Sequence, residues 1–167
     1  MGRLEGLEIE RKWLLASVPT DAWLRSHGAI AKRIEQVYLR AEGDERGGRR
    51  IRRTETDGAV EHVETRKRRR SGFTREEIER PIEPGEFERM LRQAEPSRRP
   101  IKKTRWVFLF GGHELELDVF ESPPGIVMLE IELASEDERV ELPPELEVVR
   151  EVTDDPAFLN WNLARRE

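Results

Sequence analysis

Residues 7–15, 30–40, 50–56, 59–66, 73–82, 101–110, 113–120 and 126–134 read as extended segments in which apolar and charged positions alternate with period two. Asp57-Gly58 and Gly111-Gly112 separate consecutive segments and supply the positive φ angles of two-residue hairpin turns. Pro123-Pro124-Gly125 breaks the pattern before the eighth segment. Helical periodicity replaces alternation in three places. Residues 19–27 close at Gly28, residues 86–95 carry Phe87, Met90, Leu91 and Ala94 on one stripe, and Asp155-Pro156 caps a helix through Phe158, Leu159 and Leu163. With no internal repeat and no Pro/Gly/Ser linker, the pattern predicts one α+β domain over residues 1–167. Its expected core is an eight-stranded antiparallel β-barrel, or strongly curved sheet, with peripheral helices.

Sorting each strand into its two faces groups the ionised residues by sign. Glu8, Glu10 and Lys12 share one face, opposed by Leu7, Ile9, Arg11 and Trp13. Arg75, Glu77 and Glu79 share another, as do Lys103 with Arg105, Glu114 with Glu116 and Asp118, and Glu130 with Glu132. Gln36 and Tyr38 lie together opposite Val37 and Leu39, and Arg50 and Arg52 flank Ile51. Like charges side by side repel unless a counter-ion sits between them. Two readings follow. One is an ordinary sheet with a solvated face. The other is a polar interior, in which carboxylates offer hard oxygen ligands to Mg²⁺ or Mn²⁺ and the bases grip phosphate oxygens. Pattern alone leaves both open.

Composition narrows the class. Of 167 residues, 36% are apolar and 39% charged, with 30 Lys+Arg against 35 Asp+Glu and a net charge of −5. Both signs are abundant, and Trp13, Trp23, Trp106 and Trp161 are spread along the chain, which argues for a folded domain rather than a charged tail. Absent cysteine excludes a disulfide scaffold, thiolate metal sites and a cysteine nucleophile, and is compatible with the cytoplasm. No apolar run is long enough for a bilayer and residues 1–5 lack a signal-peptide stretch, so no membrane association is expected. His27, His62 and His113 are scattered, without metal-ligand spacing, and read as solvent-exposed. Arg66–Arg70 lacks interleaved aromatics in an acidic chain and reads as a solvated loop, so no nucleic-acid partner is expected.

Glu8-Ile9-Glu10-Arg11-Lys12 resembles the Glu-x-Glu-x-Lys signature of the CYTH family, the triphosphate tunnel metalloenzymes. The likeness continues in order through Gln36-Val37-Tyr38-Leu39, Arg50-Ile51-Arg52, Thr65-Arg66-Lys67 and Arg75-Glu76-Glu77-Ile78-Glu79. It extends to Lys103-Thr104-Arg105-Trp106, Glu116-Leu117-Asp118-Val119-Phe120, Glu130-Ile131-Glu132-Leu133 and Glu151-Val152-Thr153. Two stretches depart from it: Arg68-Arg69-Arg70 follows Lys67 where short bacterial members often have glycine, and Leu146–Arg150 replaces a Trp-Leu-Gly.

The resemblance implies a tunnel with inward charges that hydrolyses a triphosphate with Mg²⁺ or Mn²⁺. Glu8, Glu10, Glu77, Glu79, Glu130 and Glu132 would hold the metal or its waters. Lys12, Arg50, Arg52, Lys67, Arg75, Lys103 and Arg105 would grip the triphosphate, and Asp118 would orient neighbouring cations. Tyr38 and Lys103 would assist the leaving group or position water. Few inward aromatics favour inorganic tripolyphosphate, split to pyrophosphate and phosphate. Thiamine triphosphate hydrolysis, class IV adenylate cyclase activity and a non-catalytic polyphosphate or nucleotide sensor are the alternatives. A monomer or homodimer acting on a small molecule is expected.

Overall fold

The computed structural model of the chain describes residues 9–41, 48–71 and 74–166, with the backbone alone for 68–71 and 74–76. Nine strands make one sheet: β1 (Ile9–Leu15), β2 (Ile30–Tyr38), β3 (Arg49–Thr56), β4 (Ala59–Ser71), β5 (Thr74–Pro81), β6 (Ile101–Phe110), β7 (His113–Ser122), β8 (Val127–Leu133) and β9 (Val148–Glu151). The order is β5-β4-β3-β2-β6-β7-β8-β1-β9, and every neighbouring pair is antiparallel. Both expected hairpins form where the backbone must turn left-handed. Asp57 and Gly58 have φ of 48° and 81°, and Gly111 and Gly112 have 59° and 80°.

The sheet curls. Tyr38 on β2 and Met128 on β8 belong to one buried cluster, although three strand spacings separate them in the ladder, ~14 Å if the sheet were flat. The ladder itself ends at β5 and β9, so among the described residues hydrogen bonds do not close the curl into a full barrel. The expected antiparallel, strongly curved architecture is present, with a ninth strand and an open seam.

Apolar faces of the strands point outward and are covered by helices and loops. Trp13, Leu115, Leu117, Leu129 and Ile131 pack under Leu24 of α1 (Asp21–Ser26) and Leu146 of the long loop before β9. Thr20 caps α1 by accepting the Trp23 N–H at 3.1 Å. Val37, Leu39, Ile51 and Ile82 pack under Phe87 and Met90 of α2 (Pro84–Met90), so the predicted stripe is core. Asp155 caps a 3-10 turn at Pro156–Phe158, but Leu159 is extended and α3 is only Asn160–Leu163, so the single helix expected there is broken in two.

Two surface expectations need correction. None of the histidines is simply solvated: His27 stacks on Trp23 at 3.9 Å, His62 lies against Phe87, and His113 bonds Glu138 at 2.6 Å. Arg66–Arg70 is not a loop either, since β4 runs on to Ser71 against β5 and Arg66 Nε binds Glu64 at 2.9 Å. No helix among the described residues is long and apolar enough to cross a membrane.

Candidate active site

Residues directly opposed in an antiparallel ladder share a face. Tyr38 opposes Arg50, Gln36 opposes Arg52, Lys32 opposes Arg105, Arg105 opposes Asp118, Glu116 opposes Glu130, Lys12 opposes Glu130 and Glu10 opposes Glu132. These registers line the concave face with charged or polar positions from β1, β2, β3, β6, β7 and β8. The signs are unevenly spread along it, with Lys12 of β1 among the acids and Glu77 of β5 beside the bases. Lys67, Arg50, Arg52, Lys103 and Arg105 come from β4, β3 and β6, whereas Glu116, Asp118, Glu130, Glu132 and Glu10 come from β7, β8 and β1.

Where the two arcs meet, the ions interlock. Asp118, fully buried, accepts from Lys103 Nζ at 2.8 Å and from Arg105 Nε and Nη2 at 2.8 and 2.9 Å. Arg105 also contacts Glu116 and lies 3.7 Å from Glu130, while Lys12 Nζ is 3.2 Å from Glu10 and 3.8 Å from Glu130. The two cations hold the Asp118 carboxyl well below the usual aspartate range, chiefly through the Lys103 charge, against the penalty of burial. Burial pulls the Lys103 ammonium below its ordinary value. Glu130 is raised by burial and by the neighbouring Glu10 charge, and Glu116 is raised by burial.

A second, less charged group sits beside the first. Arg52 donates Nε and Nη2 to Gln36 Oε1 at 2.9 and 2.6 Å, and Gln36 Nε2 donates to Tyr38 Oη at 3.0 Å. Burial, then the like charges of Arg50 and Arg105, lower the Arg52 guanidinium to about 10. Tyr38 is buried, its ring edge-on to Trp161 at 5.1 Å, and burial raises its hydroxyl. Below it the interior turns apolar: Ile101, Phe120, Met128, Val152 and Ala164 form a floor, over which Lys103 Nζ sits 5.1 Å from the Phe120 ring.

The sequence-predicted residues divide accordingly. Glu10, Lys12, Arg52, Lys103, Arg105 and Glu130 belong to the interlocked core with Tyr38. Glu132 stands exposed beside it, over a cavity of about 430 Å³ shared with Glu114 and Glu116. Glu77 accompanies Arg50 at 3.9 Å and Lys67 at 4.0 Å on the other wing, and Glu79 is exposed. Glu8 and the Arg75 side chain lie outside the described residues. Glu116 and Gln36 are placed on these faces by the alternation but given no role by it, and a neutral amide adds nothing to a charge pattern. A cavity of about 1090 Å³ lies along the seam at β1 and β9, beside Glu10, Arg11, Glu136, Glu151 and Asp154. It shares Glu10 with the interlocked group but none of that group's bases.

The donor set suits a hard divalent cation. The Glu10 charge raises Glu130, and the Glu130 charge adds to the burial that raises Glu116, a cost that a bound cation relieves. Among the described residues no three acidic or histidine side chains are already gathered at coordinating distance, because Lys12 and Arg105 occupy the space between them.

A curled antiparallel sheet with this charged concave face defines a triphosphate-tunnel type of fold. The CYTH domain pattern matches residues 6–151, and the chain belongs to the CYTH family. Among solved structures it is similar to the inorganic triphosphatase NE1496, at 30% identity and a TM-score of 0.64, covering 96% of this chain and 99% of that one. The PH1819 protein from Pyrococcus horikoshii OT3 shares the fold at 22% identity and a TM-score of 0.54, over 78% and 80% of the two chains. No curated protein matches significantly.

Proposed function

We propose that the chain is a metal-dependent triphosphatase that hydrolyses inorganic tripolyphosphate to pyrophosphate and phosphate. One observation carries the reading: on a single concave face, a mostly basic group from β4, β3 and β6 stands against a mostly acidic group from β7, β8 and β1, with Lys12 set among the acids. The similarity to an inorganic triphosphatase over nearly the whole of both chains supports it.

Phosphoryl transfer needs positioning and charge stabilisation more than covalent help. Arg50, Arg52, Lys67, Arg75 and Arg105, with Lys12, bind and straighten the phosphate chain, their forks matching its oxygens. Glu10, Glu130 and Glu132, assisted by Glu116, with Glu8, Glu77 and Glu79 as further candidates, hold Mg²⁺ or Mn²⁺. Such an ion neutralises phosphate charge and acidifies a water when bound. Water oxygen forms the new bond to the terminal phosphorus as the bridging P–O bond breaks. The water proton passes to a carboxylate of the acidic arc. Lys103, whose ammonium burial has made more acidic, supplies charge or a proton to the departing pyrophosphate, with the Tyr38 hydroxyl beside it.

The choice of an inorganic substrate rests on where the aromatics are. Tyr38 and Phe120 are sunk in the floor, Tyr38 against Trp161 and Phe120 beneath Lys103, and present no free ring face to stack a base or thiazole. Comparing phosphate release from tripolyphosphate, thiamine triphosphate and ATP, with cyclic AMP assayed in parallel, tests this. Tripolyphosphate should be turned over fastest. Preferential thiamine triphosphate hydrolysis or cyclic AMP formation would replace the substrate, and binding without turnover would make the protein a polyphosphate sensor.

A further inference from the structure

Among the described residues of the concave face, three guanidiniums can be compared. Arg105 is wrapped by Asp118, Glu116 and Glu130, and Arg50 has Glu77 at 3.9 Å. Arg52 differs, because its side-chain partner is the uncharged Gln36, which accepts from it at 2.9 and 2.6 Å. Asp118 acts on Arg52 only through space and makes no ion pair with it.

Donor chemistry fixes which way the Gln36 amide points. A guanidinium only donates, so the amide oxygen must face Arg52 and the amide nitrogen must face Tyr38. The Tyr38 oxygen therefore accepts from Gln36, and the Arg50 charge acts on it as well. With that donor on its oxygen, the phenol must send its own proton elsewhere. Gln36 is fully buried, so no water competes for either contact.

We infer that Gln36 is a specificity-determining positioning residue: its neutral carboxamide fixes the Arg52 fork without neutralising it and turns the Tyr38 O–H towards the bound anion. This rests on the triphosphate reading above. A carboxylate at the same place would hold Arg52 equally well as a matter of geometry, but would cancel its charge and take the Tyr38 proton for itself. The amide leaves one full positive charge and one hydroxyl donor available at adjacent points on the wall, matched to neighbouring oxygens of a polyphosphate.

The test compares Q36E and Q36M with the unaltered protein, using tripolyphosphate as the calorimetric titrant without metal, followed by kcat and KM with Mg²⁺. Q36E keeps the shape and the acceptor, so its melting temperature should equal or exceed the parent's. Its tripolyphosphate affinity should fall at least ~10-fold, the equivalent of ~1.4 kcal/mol, with kcat falling as well. Lowering the pH through the range of the introduced carboxyl should narrow the gap between Q36E and the parent at the same pH. Q36M, which frees Arg52 from its anchor but not from its charge, should lose less affinity than Q36E. If Gln36 merely braces the wall, Q36E will bind as the parent does and Q36M will be the weaker variant; that result overturns the inference while the triphosphate reading stands. If the unaltered protein binds no tripolyphosphate, both fall.

Discussion

Lys103 Nζ and Asp118 Oδ2 meet at 2.8 Å with both side chains fully shielded from solvent, and Arg105 closes on the same carboxylate. This pair joins the mostly basic and mostly acidic sides of the concave face. Replacing Asp118 by Ala strands the buried Lys103 ammonium and leaves Arg105 with Glu116 and Glu130 alone. D118A should therefore lose about 3–5 kcal/mol of stability, measurable by urea denaturation, whereas D118N should lose less.

The same pair predicts an acid limb. The Asp118 carboxyl is depressed in the fold, so its contribution is complete above the ordinary aspartate range and is lost as pH falls towards the lower folded value. Stability of the parent protein should decline as pH drops below ~4, and the D118N decline should be flatter over that window. Parallel curves for the two proteins would contradict the assignment.

Glu130 works in the opposite sense. Burial and the Glu10 charge raise its carboxyl, which means that the ionised form is disfavoured in the fold above that raised value. E130Q should therefore melt no lower than the parent, yet its metal-dependent turnover should fall by roughly two orders of magnitude. An unchanged rate would remove Glu130 from the ligand set. Because Glu116 is raised too, cation affinity should already weaken at pH values above the usual glutamate range, read by metal titration at several pH values.

Glu64 supplies a contrast on the convex side. It is buried and accepts from Arg49, Arg66 and Arg80 at 3.3, 2.9 and 3.2 Å, tying β3, β4 and β5 together under α2. E64A should cost about 2–3 kcal/mol, since Arg66 and Arg80 are partly solvated and lose less than fully buried partners would. KM for tripolyphosphate should not move, because the clamp lies on the opposite face from the substrate. A raised KM would place that face in the binding surface.

Much of this was legible in the alternation. Asp57-Gly58 and Gly111-Gly112 marked the hairpins, and the Glu10, Lys12, Lys103, Arg105 and Glu130 pattern gathered these ions on one face of each strand, which the CYTH resemblance turned inward. What periodicity missed has physical causes. All four residues of β9 are exposed, so the strand is defined by pairing to β1 rather than by any apolar face. The inner face is also not charged throughout: Ile101, Phe120 and Met128 hold inward positions because the C-terminal segment, through Trp161 and Ala164, packs over that end of the curl. That contact joins residues far apart in sequence and leaves no local signal. Gln36 lies on the expected face, but its role leaves no sequence signal, since it depends on being neutral among ions.

Orthophosphate release from tripolyphosphate, measured with Mg²⁺ or Mn²⁺ and again after EDTA, tests the central claim most directly. Turnover with either metal, its loss in EDTA and its return on adding excess metal, all with an unchanged far-ultraviolet circular dichroism spectrum, are the predicted results. Equal rates with and without EDTA, or no release from a folded protein supplied with metal, would contradict the account.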